Sequence, residues 1–149
     1  MKKALLHSTN TLDIYSISTS VEIELPLIDT GISAGFPSPA DDFLGDVIDL
    51  NKALIKHPAT TFCGRVKGNS MKDLGIHDGD LMIIDKSLEP RNGAIAVCFI
   101  DGKFTVKKIK IEENCCWLIP ANEEYSPIKI TADNDFIIWG IVTNVIKSF

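Results

Sequence analysis

The sequence predicts a mainly β protein: twisted antiparallel sheets with one short helix and an extended N-terminal arm. Three observations carry this expectation. From Thr60 onward the chain breaks into short apolar runs of strand length. The dipeptides Asp78-Gly79, Asn92-Gly93 and Asp101-Gly102 fall between those runs. Asp-Gly between two apolar runs is a strong hairpin signal. Only one stretch shows helical spacing of its apolar residues.

Taken in order, residues 1–34 are rich in Ser and Thr and differ from the rest of the chain. They hold one strand-like stretch, Ser20-Val21-Glu22-Ile23-Glu24-Leu25, which ends at Pro26. The following Gly31-Ile32-Ser33-Ala34-Gly35-Phe36-Pro37-Ser38-Pro39 has two glycines and two prolines around small residues. It is expected to be extended and exposed, the kind of segment at which chains are cut. A helix is expected over 46–57, where Val47, Leu50, Leu54 and Ile55 approximate one stripe. Pro58 ends it and places His57 in its last turn. Strands are expected at 61–67, 80–85, 94–100, 103–111, 115–119, 127–131 and 135–146.

Composition narrows the function. The chain has 149 residues, 45% hydrophobic and 23% charged, which suits one folded domain with a working core. With 15 Lys and Arg against 20 Asp and Glu, its formal charge is −5. Phosphate binding rests on clustered Lys and Arg, so stand-alone nucleic-acid binding is not expected; the composition leaves open an acidic subunit of a larger DNA-acting complex. No apolar run approaches the roughly 18 residues of a membrane helix. The start, Met1-Lys2-Lys3-Ala4-Leu5-Leu6, meets His7-Ser8-Thr9-Asn10 before an apolar signal region can form, and a cytoplasmic location is expected. Cys63, Cys98, Cys115 and Cys116 have no metal-ligand spacing and read as reduced, mostly buried small hydrophobes. No cofactor or metal is expected.

The sequence has no dinucleotide fingerprint, phosphate loop, zinc-peptidase helix or G-x-S-x-G elbow. His7, His57 and His77 fall in a tail, a helix end and a turn, poor places for a Ser-His-Asp triad. The informative stretch is Gly68-Asn69-Ser70-Met71-Lys72-Asp73, at the end of one expected strand. Ser70 there reads either as a turn cap or as a nucleophile beside backbone N–H groups able to form an oxyanion hole. Without a histidine, its base would be a lysine kept neutral by desolvation. The strand Phe104-Thr105-Val106-Lys107-Lys108-Ile109-Lys110-Ile111 holds the candidates. Alternation puts Thr105, Lys107, Ile109 and Ile111 on one face and Phe104, Val106, Lys108 and Lys110 on the other. Each face mixes lysine with apolar residues, so periodicity leaves Lys107 and Lys108 both open, as solvated strand lysines or as a base.

Three blocks in order resemble the LexA/UmuD-type family of self-cleaving Ser-Lys peptidases. Ala34-Gly35-Phe36-Pro37-Ser38-Pro39-Ala40-Asp41 is similar to its cleavage site. Gly68-Asn69-Ser70-Met71 with Gly75-Ile76-His77-Asp78-Gly79-Asp80 is similar to its nucleophile block, and Asp101-Gly102-Lys103-Phe104-Thr105-Val106-Lys107-Lys108 to its lysine block. Leu118-Ile119-Pro120-Ala121-Asn122 and Tyr125-Ser126-Pro127-Ile128 extend the likeness, which covers about residues 31–149. The resemblance implies Ser70 as nucleophile, Lys107 as general base and cleavage between Ala34 and Gly35. It divides the chain into a cleavable arm, 1–34, and a peptidase-like β domain, 35–149. Backbone N–H groups at Ser70 and Met71 would hold the oxyanion.

Within this family the chain resembles the UmuD-type subunits of error-prone translesion polymerases. Residues 1–34 are too short and too poor in helix signals for the helix-turn-helix of a LexA-like repressor. The resemblance implies an SOS-response switch: a RecA filament on single-stranded DNA stimulates the cut, and the shortened homodimer joins a Y-family polymerase catalytic subunit. A non-cleaving interaction module of the same fold and a LexA-like repressor fragment are the rival readings. A type I signal peptidase shares the Ser-Lys chemistry but needs a membrane anchor.

Overall fold

A computed structural model describes residues 5–22, 24–28 and 44–149. The expected cleavage bond between Ala34 and Gly35 lies outside them. The described chain is mainly antiparallel β, as expected, and it divides into two compact units, residues 18–58 and residues 1–17 with 59–149.

The larger unit is one nine-stranded sheet. Its strands are β1 (Leu5–Ser8), β2 (Leu12–Ser16), β5 (Thr61–Val66), β6 (Leu81–Asp85), β7 (Ile95–Ile100), β8 (Lys103–Ile111), β9 (Cys116–Ile119), β10 (Ile128–Ile130) and β11 (Phe136–Ile146). They lie in the order β1-β2-β5-β6-β11-β7-β8-β9-β10. From β5 onward each strand falls within a residue or so of its expected position. The β7–β8 hairpin turns at Asp101-Gly102, with both residues at positive φ, 48° and 84°. Asp and Gly tolerate that conformation best, which is why this dipeptide was legible.

The smaller unit holds β3 (Glu24–Ile28), β4 (Leu44–Asp49) and helix α1 (Leu50–Leu54), with β3 and β4 antiparallel. The strand expected at 20–25 is displaced to β3. The helix expected over 46–57 is reduced to five residues, and it stops before His57. Its first half pairs with β3 as β4 instead. Asp49 then caps α1, accepting the Asn51 N–H at 2.9 Å.

Two apolar clusters make the core of the larger unit. One gathers Leu12, Ile14, Val66, Met71, Ile76, Met82, Ile84, Val97, Phe104 and Val106, and the other Ala96, Cys98, Ile109, Leu118 and Ile141. Neighbours in sequence such as Ala96 and Val97 enter different clusters, because adjacent strand residues point to opposite faces. Of the cysteines only Cys98 is fully buried; Cys63, Cys115 and Cys116 are partly exposed, all four thiols are free, and the expectation of mostly buried cysteines holds for one of them.

β11 runs down the middle, between β6 and β7, and shifts register between Ile138 and Gly140. A Cβ at Gly140 would sit 2.6 Å from Cγ2 of Ile84, a residue with no exposure. That methyl is fixed on a β-branched side chain and cannot swing aside. Gly140→Ala is therefore expected to destabilise the fold by about 1–3 kcal/mol. At Gly64 the nearest atoms, 2.9 Å away, are the mobile Cδ1 ends of Ile84 and Leu12. Gly64→Ala is expected to cost less, and urea unfolding of the two variants in parallel checks the order.

Candidate functional site

Lys107 and Ser70 meet in the larger unit. Ser70 sits in the turn after β5, just before a short 3-10 turn, Lys72–Leu74. Several bonds fix this turn. Gly68 has φ 91° and donates its N–H to Asp78 Oδ1 at 2.8 Å. The Met71 side chain is buried in the first apolar cluster. The Ser70 carbonyl accepts the Ala121 N–H at 2.9 Å, and the Ala121 carbonyl accepts the Asp73 N–H at 2.8 Å. Asn122, itself buried, donates from Nδ2 to the Asn69 carbonyl at 2.8 Å. Thus two carbonyls around Ser70 are held by one neighbouring segment. No acceptor among the described residues takes the Ser70 or Met71 N–H.

Lys107 reaches this turn from the middle of β8, where it pairs with Ala96 of β7. It is 7% exposed, whereas Lys108 is exposed. The Lys107 Nζ lies 3.0 Å from Ser70 Oγ, 2.7 Å from Thr105 Oγ1 and 3.0 Å from the Val106 carbonyl oxygen. No carboxylate pairs with it among the described residues. Burial disfavours the ammonium form and pulls its pKa below the ordinary lysine value. Cys98 is itself pushed up to about 12 by burial, so its thiol stays neutral at physiological pH.

As an ammonium, Lys107 donates to all three oxygens; as a neutral amine it keeps two N–H donors for the Val106 carbonyl and the Thr105 hydroxyl and can turn its lone pair to the Ser70 hydroxyl. A serine hydroxyl beside a desolvated amine can act as a nucleophile with a base in reach. Beside it opens a cleft of about 820 Å³, whose lining includes Ser70, Lys107, Thr105, Phe104, Tyr125 and the Thr9–Thr11 turn between β1 and β2. Its volume lies in the range of ligand-binding clefts.

A model of the Peptidase S24-like family matches residues 26–143, most of the chain. The chain belongs to the Peptidase S24-like family. Among its S24-like relatives, protein MucA of Salmonella typhimurium is 38% identical over 135 residues, 89% of this chain and 92% of that protein. Protein SamA of Salmonella typhimurium strain LT2 is 40% identical over 123 residues, covering 83% of this chain and 85% of that protein. The LexA repressor of Ectopseudomonas mendocina is 40% identical over 124 residues, 83% of this chain but 60% of the repressor. The resemblance to LexA/UmuD-type peptidases read from the motifs is borne out by these matches.

The geometry places further residues around Ser70 and Lys107 to which local sequence assigned no role. Thr105 was placed on the Lys107 face without a role. Asn122 and Ala121 lie about fifty residues from Ser70 in sequence. Leu118-Ile119-Pro120-Ala121-Asn122 extends the family likeness but carries no role there, and its support of the Ser70 turn is visible only in the tertiary structure. No helix among the described residues is long and apolar enough to cross a membrane.

Proposed function

We propose that the chain is a self-cleaving serine peptidase whose own Ala34–Gly35 bond is the substrate, with residues 1–34 as the cleavable arm and 35–149 as the peptidase domain. The observation that carries this reading is the 3.0 Å contact between Lys107 Nζ and Ser70 Oγ, made by a buried lysine with no carboxylate partner among the described residues. Neutral Lys107 takes the Ser70 proton as Oγ attacks the Ala34 carbonyl carbon. The Ser70 and Met71 N–H groups stabilise the oxyanion. When the tetrahedral intermediate collapses, the C–N bond breaks and the Lys107 ammonium protonates the Gly35 amine. Water, deprotonated by Lys107, then hydrolyses the acyl-Ser70 ester and restores the serine. Ala34 and Gly35 present little bulk to the cleft, which suits a substrate delivered by its tether.

In the cell this peptidase acts as an SOS-response switch in the cytoplasm. A RecA filament on single-stranded DNA shifts the cleavage segment into the cleft without donating catalytic groups. The shortened homodimer serves a Y-family translesion polymerase. Similarity to MucA, SamA and the LexA repressor supports this assignment of class.

Intact-mass spectrometry of the purified chain at pH 7 and pH 10, with and without RecA–ssDNA–nucleotide filaments, tests the reading. The expected products are residues 1–34 and 35–149, absent from Ser70→Ala. The rate should rise with pH as the neutral amine of Lys107 becomes populated, then level off below the pH of about 10.4 at which an ordinary lysine titrates. A pH-independent rate would remove lysine as the base. An intact wild-type chain in the presence of filaments that cleave another substrate would favour the interaction-module reading.

A further inference from the structure

The first two strands hold an unexpected position. No strand was expected before residue 20, yet β2 is an inner strand of the large sheet, between β1 and β5. Its five residues pair with β5 from Leu12 opposite Val66 to Ser16 opposite Phe62. Leu12 and Ile14 have no solvent exposure and belong to the first apolar cluster. Gly64, opposite Ile14, supplies no Cβ, and the Leu12 side chain uses that space. Polar groups fix the register. Lys67 pairs with Asp13 at 2.7 Å, donates from Nζ to the Thr9 carbonyl at 2.8 Å and donates its N–H to the Thr11 carbonyl at 2.9 Å. The Thr11 hydroxyl donates to the Phe104 carbonyl. Of these partners, Thr9 to Ser16 precede the proposed cleavage bond in sequence and Phe62 to Phe104 follow it.

We propose that residues 5–16 are a strand-addition ligand of the peptidase sheet that stays seated after cleavage, and that their later exchange, not the cut itself, uncovers the β5 edge. The inference rests on the self-cleavage reading only for the position of the cut. Cutting at Ala34–Gly35 removes the covalent tether but none of the contacts described above. What changes is the effective concentration, which falls from the millimolar order of a tether to that of the free fragment. The N-terminal fragment then becomes a ligand held by main-chain pairing, with side-chain pockets giving specificity. The seat selects an extended strand with large aliphatic residues two positions apart, an acidic residue between them for Lys67, and a hydroxyl before them for the Phe104 carbonyl. The chain's own residues 11–14, Thr-Leu-Asp-Ile, meet each requirement.

The consequence reaches the active cleft. Thr9, Asn10 and Thr11 line the same cleft as Ser70 and Lys107. While residues 5–16 stay bound, that wall is complete and β5 is paired on both sides. When they leave, β5 becomes an open edge, a template for another strand. Cleavage and exposure are then two separate steps, and the second depends on concentration.

The test separates this inference from self-cleavage. The full chain carrying Ser70→Ala, with residues 17–22 replaced by the recognition sequence of an unrelated site-specific protease so that β3 stays on the remainder and β1 and β2 alone hold the fragment, is cut by that protease. It is then analysed by gel filtration and mass spectrometry at about 10 μM. The N-terminal fragment is expected to co-elute with the remainder. A labelled synthetic peptide of residues 3–20, in hundred-fold excess, is expected to replace it. The uncut chain should take up at least ten-fold less label in the same time, and a peptide with Leu12→Asp and Ile14→Asp should not replace the fragment. Loss of the fragment on cutting, whether or not the remainder stays folded, would overturn the proposal, as would equal uptake of the two peptides. Because the cut is made from outside, absence of self-cleavage in the wild type would overturn the peptidase reading alone.

Discussion

Replacing Lys107 by methionine is expected to stop self-cleavage, with a rate loss of about 10³-fold or more, while the protein stays folded. The loss follows from the role of the Nζ. Removing one member of a nucleophile–base pair typically costs nearly as much as removing both. Lys107→Arg should be equally inactive, because a guanidinium remains charged at any working pH and has no basic lone pair to offer Ser70. Retained cleavage in either variant, measured by intact mass at pH 10, would exclude Lys107 as the base.

The same substitution carries a stability prediction of opposite sign. Lys107 titrates below its ordinary value because burial disfavours its charge. Between the lowered folded pKa and the unfolded value of about 10.4, the unfolded chain binds more protons than the folded one, so stability rises with pH. The cost of the buried amine is therefore fully present below the folded pKa and disappears above the unfolded one. Methionine fills a similar volume without that cost. Lys107→Met is expected to melt higher than wild type near pH 7, with the difference shrinking toward pH 11. A melting temperature below wild type at pH 7 would contradict this account of Lys107 as a group held at the expense of the fold for its chemistry.

The peptidase sheet was largely legible because its signals are local. Apolar runs separated by Asp-Gly and Asn-Gly give strand positions from β5 onward. Lys107 against Lys108 was not legible from periodicity, for a physical reason. The middle of β8 is covered on both faces, with Phe104 and Val106 in one cluster and Ile109 in the other. Alternation reports which face a residue takes, not whether that face is wet. Lys108 lies opposite Ile95 and Ile119, yet it is exposed. The family resemblance favoured Lys107, and the coordinates bring that lysine to Ser70. β1 and β2 escape a reading by pattern because they are only four and five residues long and Thr9-Asn10-Thr11 between them reads as polar loop. Their structure depends on the seat offered by Gly64 and Lys67, about fifty residues away. The helix is shorter than its apolar stripe predicts because Val47, which fits that stripe, pairs with Pro26 of β3 and joins a strand.

Asn122 gives the other large effect, through position and not through chemistry. Its Nδ2 donates to the Asn69 carbonyl at 2.8 Å, and its Oδ1 accepts the Glu124 N–H at 3.0 Å. The adjoining Ala121 N–H holds the Ser70 carbonyl. Asn122→Ala removes the side-chain clamp, so the Ser70 turn is no longer fixed against the Lys107 amine. Misplacement of a reacting group by about 1 Å costs on the order of 10²-fold. Self-cleavage is expected to fall by about that factor, with a stability loss of only about 1–2 kcal/mol. Asn122→Asp should not restore it, because an ionised carboxylate cannot donate to a carbonyl. Two readouts distinguish positioning from general weakening. The pH at which the rate levels off should stay at the wild-type value, because the burial of Lys107 in β8 that lowers its pKa is untouched, while the plateau itself drops. Gly140→Ala, of comparable stability loss but placed at the β11 bulge, should keep the wild-type plateau at a temperature where both variants are folded. If the two variants cleave at the same reduced rate, Asn122 acts through stability alone and the clamp has no part in aligning Ser70.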